Sequence, residues 1–220
     1  MNTLAPSGEK TIELRGYTDS ITSAVFSMDG MRVVTASNDS TARIWDAHNG
    51  MQILVMNGHD CVVSAIFSPD GTRIITGIYN AAPIIWDAHT GKQIAELTAD
   101  IFFGFGVSLS IGRGPMGYSP RVQSAAFSRD GTRILTTASG DGMAVIWDAY
   151  TGKLLVALDE QERSVRSAVF SPDGKRIVTT SADGTPAIWL ISISEIIKKM
   201  NNKVEDLSRE EKAKYGIETK

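Results

Sequence analysis

The sequence predicts an all-β chain in which one antiparallel unit is written four times. A Phe that opens a tight-turn signature is followed 19 or 20 residues later by a Trp: Phe26 to Trp45, Phe67 to Trp86, Phe127 to Trp147 and Phe170 to Trp189. The turn itself recurs as Ser27-Met28-Asp29-Gly30, Ser68-Pro69-Asp70-Gly71, Ser128-Arg129-Asp130-Gly131 and Ser171-Pro172-Asp173-Gly174. Pro at the second turn position has its φ preset, and Gly adopts a positive φ without a Cβ clash. Between turns lie short β-branched runs about ten residues apart, which is the pattern of a meander rather than a helix.

In chain order, residues 1–10 lack the apolar core of a secretory signal and are expected to be disordered. Thr11-Ile12-Glu13-Leu14 reads as a lone strand ahead of the first inner strand, Ile21 to Phe26. The runs Arg32-Val33-Val34-Thr35-Ala36 and Thr41-Ala42-Arg43-Ile44-Trp45 follow as second and third strands. Three of the Trp residues then enter a second turn, Asp46-Ala47-His48-Asn49-Gly50, Asp87-Ala88-His89-Thr90-Gly91 and Asp148-Ala149-Tyr150-Thr151-Gly152, which leads to an outer strand such as Lys92 to Leu97. The fourth reads Trp189-Leu190 and is expected to end the last unit.

Trp-to-Trp spacings are 41, 61 and 42. The long interval places an insertion at residues 98–120, between the outer strand Lys92 to Leu97 and the inner strand Val122 to Phe127, where it is expected to be an overgrown loop. Phe102, Phe103 and Phe105 are unusual on a solvated loop. Its Gly-rich string has no Gly-Lys-Ser/Thr ending, so it is not read as a phosphate loop. After Ile193 the strand pattern gives way to Ser194-Glu195-Ile196-Ile197-Lys198-Lys199-Met200 and Ser208-Arg209-Glu210-Glu211, two helix starts, the second a capping box of Ser208 with Glu211. Residues 11–193 thus form the repeat domain and 194–220 a short α-helical tail.

The recurring Trp-Asp at a fixed distance from a recurring Asp-Gly turn, with a period near the ~40–45 residues of one blade, resembles the WD40-repeat family, in particular the regular repeats common in bacterial members. The resemblance runs from Thr11 to Ile191, and an unrelated β-sandwich would not explain it. It implies a β-propeller of four-stranded blades, with four repeats visible. It also implies a polar lock of His, Ser, Trp and Asp in each blade. The first unit offers Ser37, Asp39 and Trp45 with Thr18 at the His position, the third Ser139, Asp141 and Trp147, and the fourth Ser181, Asp183 and Trp189. The second supplies His59 and Trp86 but carries Ile78 and Asn80 where Ser and Asp belong, so it is expected to be looser. Leu207 to Gly216 is similar to a short Leu-Ser-Arg-Glu-Glu-like helix found after bacterial WD propellers.

Ring closure in the family would place Thr11 to Leu14 as the outer strand of the last blade, hiding its edge. Four blades alone would have to meet at about 90°, so a homodimer exchanging these strands to complete an eight-blade ring is expected over a strained monomer.

A formal charge of −3 and a pI of 5.6 argue against a chain-wide nucleic-acid or anionic-membrane surface. No apolar run reaches the ~20 residues of a membrane span, and a cytoplasmic location is the default. The single Cys61 forms no intramolecular disulfide and reads as a buried small hydrophobe in a strand. His48 and His89 occupy equivalent turns, and no His–carboxylate or metal-ligand set converges, so no catalysis, cofactor or metal is expected. Asp29, Asp70, Asp130 and Asp173 recur because turns use them.

Function therefore falls to the rim. One inner-strand position differs sharply among units, Thr22, Val63, Gln123 and Arg166, and in the family this position touches partners. The turn residues Asn38, Tyr79 and Asn80, the inter-blade residues Tyr17, Asp19, Asp60 and Arg163, Arg121 beside the insertion, and Phe102, Phe103 and Phe105 complete the expected surface. The expectation is a non-enzymatic scaffold that binds a protein or peptide partner. The alternative is a sensor or regulatory component of a larger bacterial signalling or defence assembly.

Overall fold

The computed structural model describes residues 12–58, 60–79, 81–103, 107–111, 121–139, 143–159, 165–181 and 184–191. Each repeat folds into its own antiparallel sheet with strands in sequence order. The first comprises β1 (Ile21–Phe26), β2 (Arg32–Ser37), β3 (Thr41–Asp46) and β4 (Gln52–Asn57). The second comprises β5 (Val62–Phe67), β6 (Arg73–Ile78), β7 (Ile84–Asp87) and β8 (Gln93–Glu96). After the hairpin β9 (Ala99–Phe103) and β10 (Val107–Ile111), the third comprises β11 (Arg121–Phe127), β12 (Arg133–Ser139), β13 (Met143–Asp148) and β14 (Leu154–Asp159). The fourth comprises β15 (Val165–Phe170), β16 (Arg176–Ser181) and β17 (Pro186–Leu190), three strands among the described residues. The all-β propeller-blade architecture is as the repeat predicts, while the helical tail at 194–220 lies outside the described residues.

Two local expectations are corrected. Within the insertion at 98–120, expected as an overgrown loop, β9 and β10 pair as a hairpin. Its register pairs Ala99 with Ile111, Ile101 with Leu109 and Phe103 with Val107, and the intervening row pairs Asp100 with Ser110 and Phe102 with Ser108. The second arm, Val107 to Ile111, alternates apolar residues with Ser at period two, and the first does so except at Phe102, a pattern that favours strand pairing. Phe102 and Phe103, being neighbours in a strand, occupy opposite rows. Residues 12–14 form no strand, and Thr11 lies outside the described residues. A strand needs a ladder partner, and the edge of β17 is not beside them.

The two turn types are built from side chains that replace missing backbone partners. In every first turn the Ser hydroxyl donates to the Asp two residues on at 2.5 Å, Ser27 to Asp29, Ser68 to Asp70, Ser128 to Asp130 and Ser171 to Asp173. The same Ser oxygen accepts the amide of the Arg that opens the next strand, at 2.9–3.0 Å. The Gly completes the reversal at φ near +70°, which a side chain would strain. In the second turn the carboxylates of Asp46, Asp87 and Asp148 each accept two amides, two and three residues on.

Packing joins the sheets face to face. Val34, Ala36 and Ile44 of the first meet Ala65, Phe67 and Trp86 of the second. Ile75, Ile85 and Leu97 of the second meet Ile134, Val145 and Trp147 of the third, and Leu135, Ala144 and Ile146 of the third meet Val165, Ala168 and Ile177 of the fourth. In the second, third and fourth sheets the Phe and Trp thus face the preceding sheet, and the Ile before the Trp in the first three faces the next. Burying each large apolar side chain in such a seam stabilises the fold by roughly 1.5–3 kcal/mol.

Candidate functional site

The Trp residues are structural, and their partner differs from the expected lock. In all four sheets the indole Nε1 donates to a Thr hydroxyl on the second strand: Trp45 to Thr35, Trp86 to Thr76 and Trp147 to Thr136 at 2.8 Å, and Trp189 to Thr179 at 2.9 Å. These Thr residues stand at one place in the four-times-repeated Arg-aliphatic-aliphatic-Thr run, a signal present in the sequence. The second blade keeps this bond despite Ile78, which is wholly buried. Ser37 instead holds the β2–β3 turn, donating to the Ser20 carbonyl at 3.0 Å and accepting the Asp39 amide at 3.1 Å. Ser181 likewise donates to the Thr185 carbonyl at 3.2 Å. Ser139 ends β12 opposite Arg121.

Tyr17, expected on the rim, turns inward. Its hydroxyl meets Thr35 and accepts the Trp45 Nε1–H at 3.0 Å, its ring lies 5.6 Å from that of Trp45, and the Arg43 guanidinium covers it at 4.4 Å. Burial raises the Tyr17 pKa above its ordinary value, against the opposing pull of Thr35, Trp45 and Arg43. Tyr17 therefore takes the place in the first blade that the sequence reading gave to Thr18, because an aromatic ring covers the Trp face where no preceding sheet does. Asp39 pairs with Arg43 at 3.2 Å and also accepts the amide of Thr41 and the hydroxyl of the same residue. Cys61 is half-buried and precedes β5 rather than lying within it, with its thiol donating to the Asn38 carbonyl at 3.4 Å. Burial and the neighbouring Asp60 push that thiol up, away from the reactive thiolate.

The rim positions converge on one end of the blades. Each inner strand carries a β-bulge near its start, where the pairing skips one residue: Thr22 between Ile21 and Ser23, Val63 between Val62 and Ser64, Gln123 between Val122 and Ser124, and Arg166 between Val165 and Ser167. The four sharply varied positions are thus the four extra residues. A bulged residue is released from the ladder and the strand bends there, so its identity is not dictated by cross-strand packing. Thr22 and Arg166 are exposed and Val63 is half-buried. The Thr22 hydroxyl donates to the Val62 carbonyl of the next blade at 2.7 Å.

The β2–β3 turn with exposed Asn38, the inter-blade residues Asp19 and Asp60, and the half-buried Tyr79 lie at that same end, because Ile21 pairs with Ser37 and Val62 with Ile78. Asp19 and Asp60 each accept the amide of the following residue, at 2.6 and 2.7 Å. The hairpin β9–β10, bearing Phe102 and Phe103, follows β8 in the chain, and Arg121 opens β11. His59, Asn80, Phe105, Asp141, Arg163 and Asp183 lie outside the described residues. His48 and His89 are exposed turn residues. Among the described residues no group of three His, Cys, Asp or Glu side chains could hold a metal ion, and no helix is long and apolar enough to cross a membrane.

The sequence model of the WD40 family, described as "WD domain, G-beta repeat", matches residues 8–46, 50–87, 113–148 and 152–189. No curated protein matches the chain. Among solved structures, the crystal structure of the computationally designed Ika4 protein superposes with a TM-score of 0.65 at 24% identity, covering 84% of this chain and 99% of that one. The computationally designed Ika8 protein superposes with a TM-score of 0.63 at 24% identity, covering 81% of this chain, which spans 48% of the length of that one.

Proposed function

The chain belongs to the WD40-repeat family, and from that premise we propose that it is a non-enzymatic scaffold that binds a protein or peptide partner on the bulged rim of its blades. The observation that carries this reading is the coincidence of the four bulges with the one inner-strand position that differs in every repeat, Thr22, Val63, Gln123 and Arg166. The flanking strand positions repeat, as the Ser at 23, 64, 124 and 167 and the Ala at 24, 65, 125 and 168 show. The strand residues that follow the bulge are held constant while the bulged residue is not, which is how a rigid scaffold carries a specific contact surface. Asp19, Asn38, Asp60, Tyr79, Asn80, Arg121 and Arg163 extend that surface. Phe102 and Phe103 on the hairpin, with Phe105, supply its apolar anchors.

Peptides selected against the intact protein from a displayed library test the reading. Arg166→Asp, and separately Phe102→Ser with Phe103→Ser, are expected to weaken the selected binders tenfold or more at an unchanged melting temperature. Retention of binding by both variants would remove the rim from the mechanism.

A further inference from the structure

The two ends of the row of blades carry complementary halves of one repeated contact. At each internal seam the Arg that opens the second strand reaches forward into the first turn of the next blade. Arg32 Nη2 donates to the Gly71 carbonyl at 2.7 Å with its guanidinium 5.0 Å from the Phe67 ring centre. Arg73 Nη2 donates to Gly131 at 3.0 Å, and Arg133 Nη2 to Gly174 at 3.0 Å with its guanidinium 5.4 Å from the Phe170 ring centre. The fourth copy, Arg176, is exposed and faces its own Asp173 at 4.0 Å. The receiving half stands open at the other end. Phe26 is 65% exposed where Phe67 is 9%, and a Cβ on Gly30 would meet nothing within 4 Å, whereas one on Gly71 or Gly174 would touch the preceding Arg.

The apolar faces repeat the asymmetry. The Ile before the Trp is 0–1% exposed as Ile44, Ile85 and Ile146 but 69% exposed as Ile188, with Leu190 beyond it 81% exposed. The outer strand shows it a third time. A Cβ on Gly91 would meet Leu54 of the preceding blade's outer strand, and one on Gly152 would meet Ala95 and Leu97 of the second blade, again the preceding one. At Gly50 the same place is held by Ile12 and Leu14, so residues 12–14 lie where the outer strand of a preceding blade belongs. The fourth sheet ends at β17 among the described residues, one strand short of the others.

From these matched halves we infer that the open faces pair head to tail with a second copy of this chain. The trailing face of the fourth blade docks on the leading face of the first blade of the other copy. Arg176 donates to the Gly30 carbonyl over Phe26, Ile188 is buried in the new seam, and residues 12–14 flank β17 as its outer strand. Propellers span about 4–8 blades, so units of four close as one copy or as two. Exposed Phe26 and Ile188 show that one copy has not closed on itself. Two copies at about 45° per blade make two identical junctions related by a two-fold axis, and leave no apolar face uncovered. This inference does not rest on the rim reading.

Light scattering on the full chain at micromolar concentration is expected to give twice the 23.7 kDa chain mass. Phe26→Asp and Ile188→Asp should each return a monomer. Because those changes alter sheet faces, Arg176→Glu is the second variant: among the described residues its guanidinium faces Asp173 of its own turn, so the change should shift dissociation at least tenfold to higher concentration while keeping wild-type circular dichroism. Arg166→Asp, on the rim, should remain dimeric. A monomeric or polymeric wild-type mass overturns the proposal, as does a dimer that loses Phe26 or Ile188 without dissociating.

Discussion

Four Thr hydroxyls, Thr35, Thr76, Thr136 and Thr179, hold the four indoles, and the first blade tests how much each bond matters. Thr136→Val keeps shape but leaves the buried Trp147 Nε1–H unpaired, which should destabilise the fold by about 1–3 kcal/mol. Thr35→Val should cost less, because Trp45 retains the Tyr17 hydroxyl at 3.0 Å. Urea unfolding of the two variants checks the order, and equal losses would refute the role of Tyr17. The turn aspartates predict an acid limit. Burial would raise the Asp70 pKa, but the Ser68 hydroxyl and the Thr72 amide and hydroxyl outweigh it and lower it from 3.8 to about 2. Asp29 and Asp173, through Ser27 and Ser171, are lowered too, and so is Asp130 against its burial. A carboxyl depressed on folding contributes stability that is complete above its unfolded pKa and lost as pH falls through the folded one. Melting temperature should therefore hold down to about pH 5 and fall between about pH 4 and 2, with a smaller fall for Asp70→Asn.

At the scale of the element, the seam contact between blades governs stability. Arg73 is 4% exposed and donates to two carbonyls of the next blade, Gly131 and Ala149, whereas half-buried Arg32 donates to one. Arg73→Met is expected to cost about 2–4 kcal/mol and Arg32→Met less, since bonds from charged donors contribute about 1.5–3 kcal/mol each and a variant strands its acceptors. Denaturant midpoints of the two variants measure the difference, and the reverse order would show that the carbonyl contacts do not hold the seams. Much of this scale was legible beforehand: strands, both turn types and the varied position follow from the repeat. The hairpin was legible in part, in the alternation of Val107, Leu109 and Ile111 with Ser108 and Ser110, but counting 98–120 as excess length hid it. The bulges were not, because an extra residue in a ladder shows only against its partner strand.

For the whole molecule, stability should depend on concentration. If two copies bury Phe26 and Ile188, mass action stabilises the paired state, and melting temperature should rise with protein concentration over the micromolar range. A melting temperature independent of concentration would leave the faces open.

By itself the sequence determined the blade, its turns, the number of repeats and the one inner-strand position that differs in each, because those rest on local φ preferences, hydrogen bonds between near neighbours and period-two burial. Only the tertiary structure decided which way each side chain serves. It turned Tyr17 inward onto Trp45, gave the indoles to Thr rather than to Ser and Asp, and left one Ile of four and one Phe of four uncovered. The uncovered Phe and Ile depend on which sheet lies next to which, and identical local sequences carry no record of whether a neighbour is present.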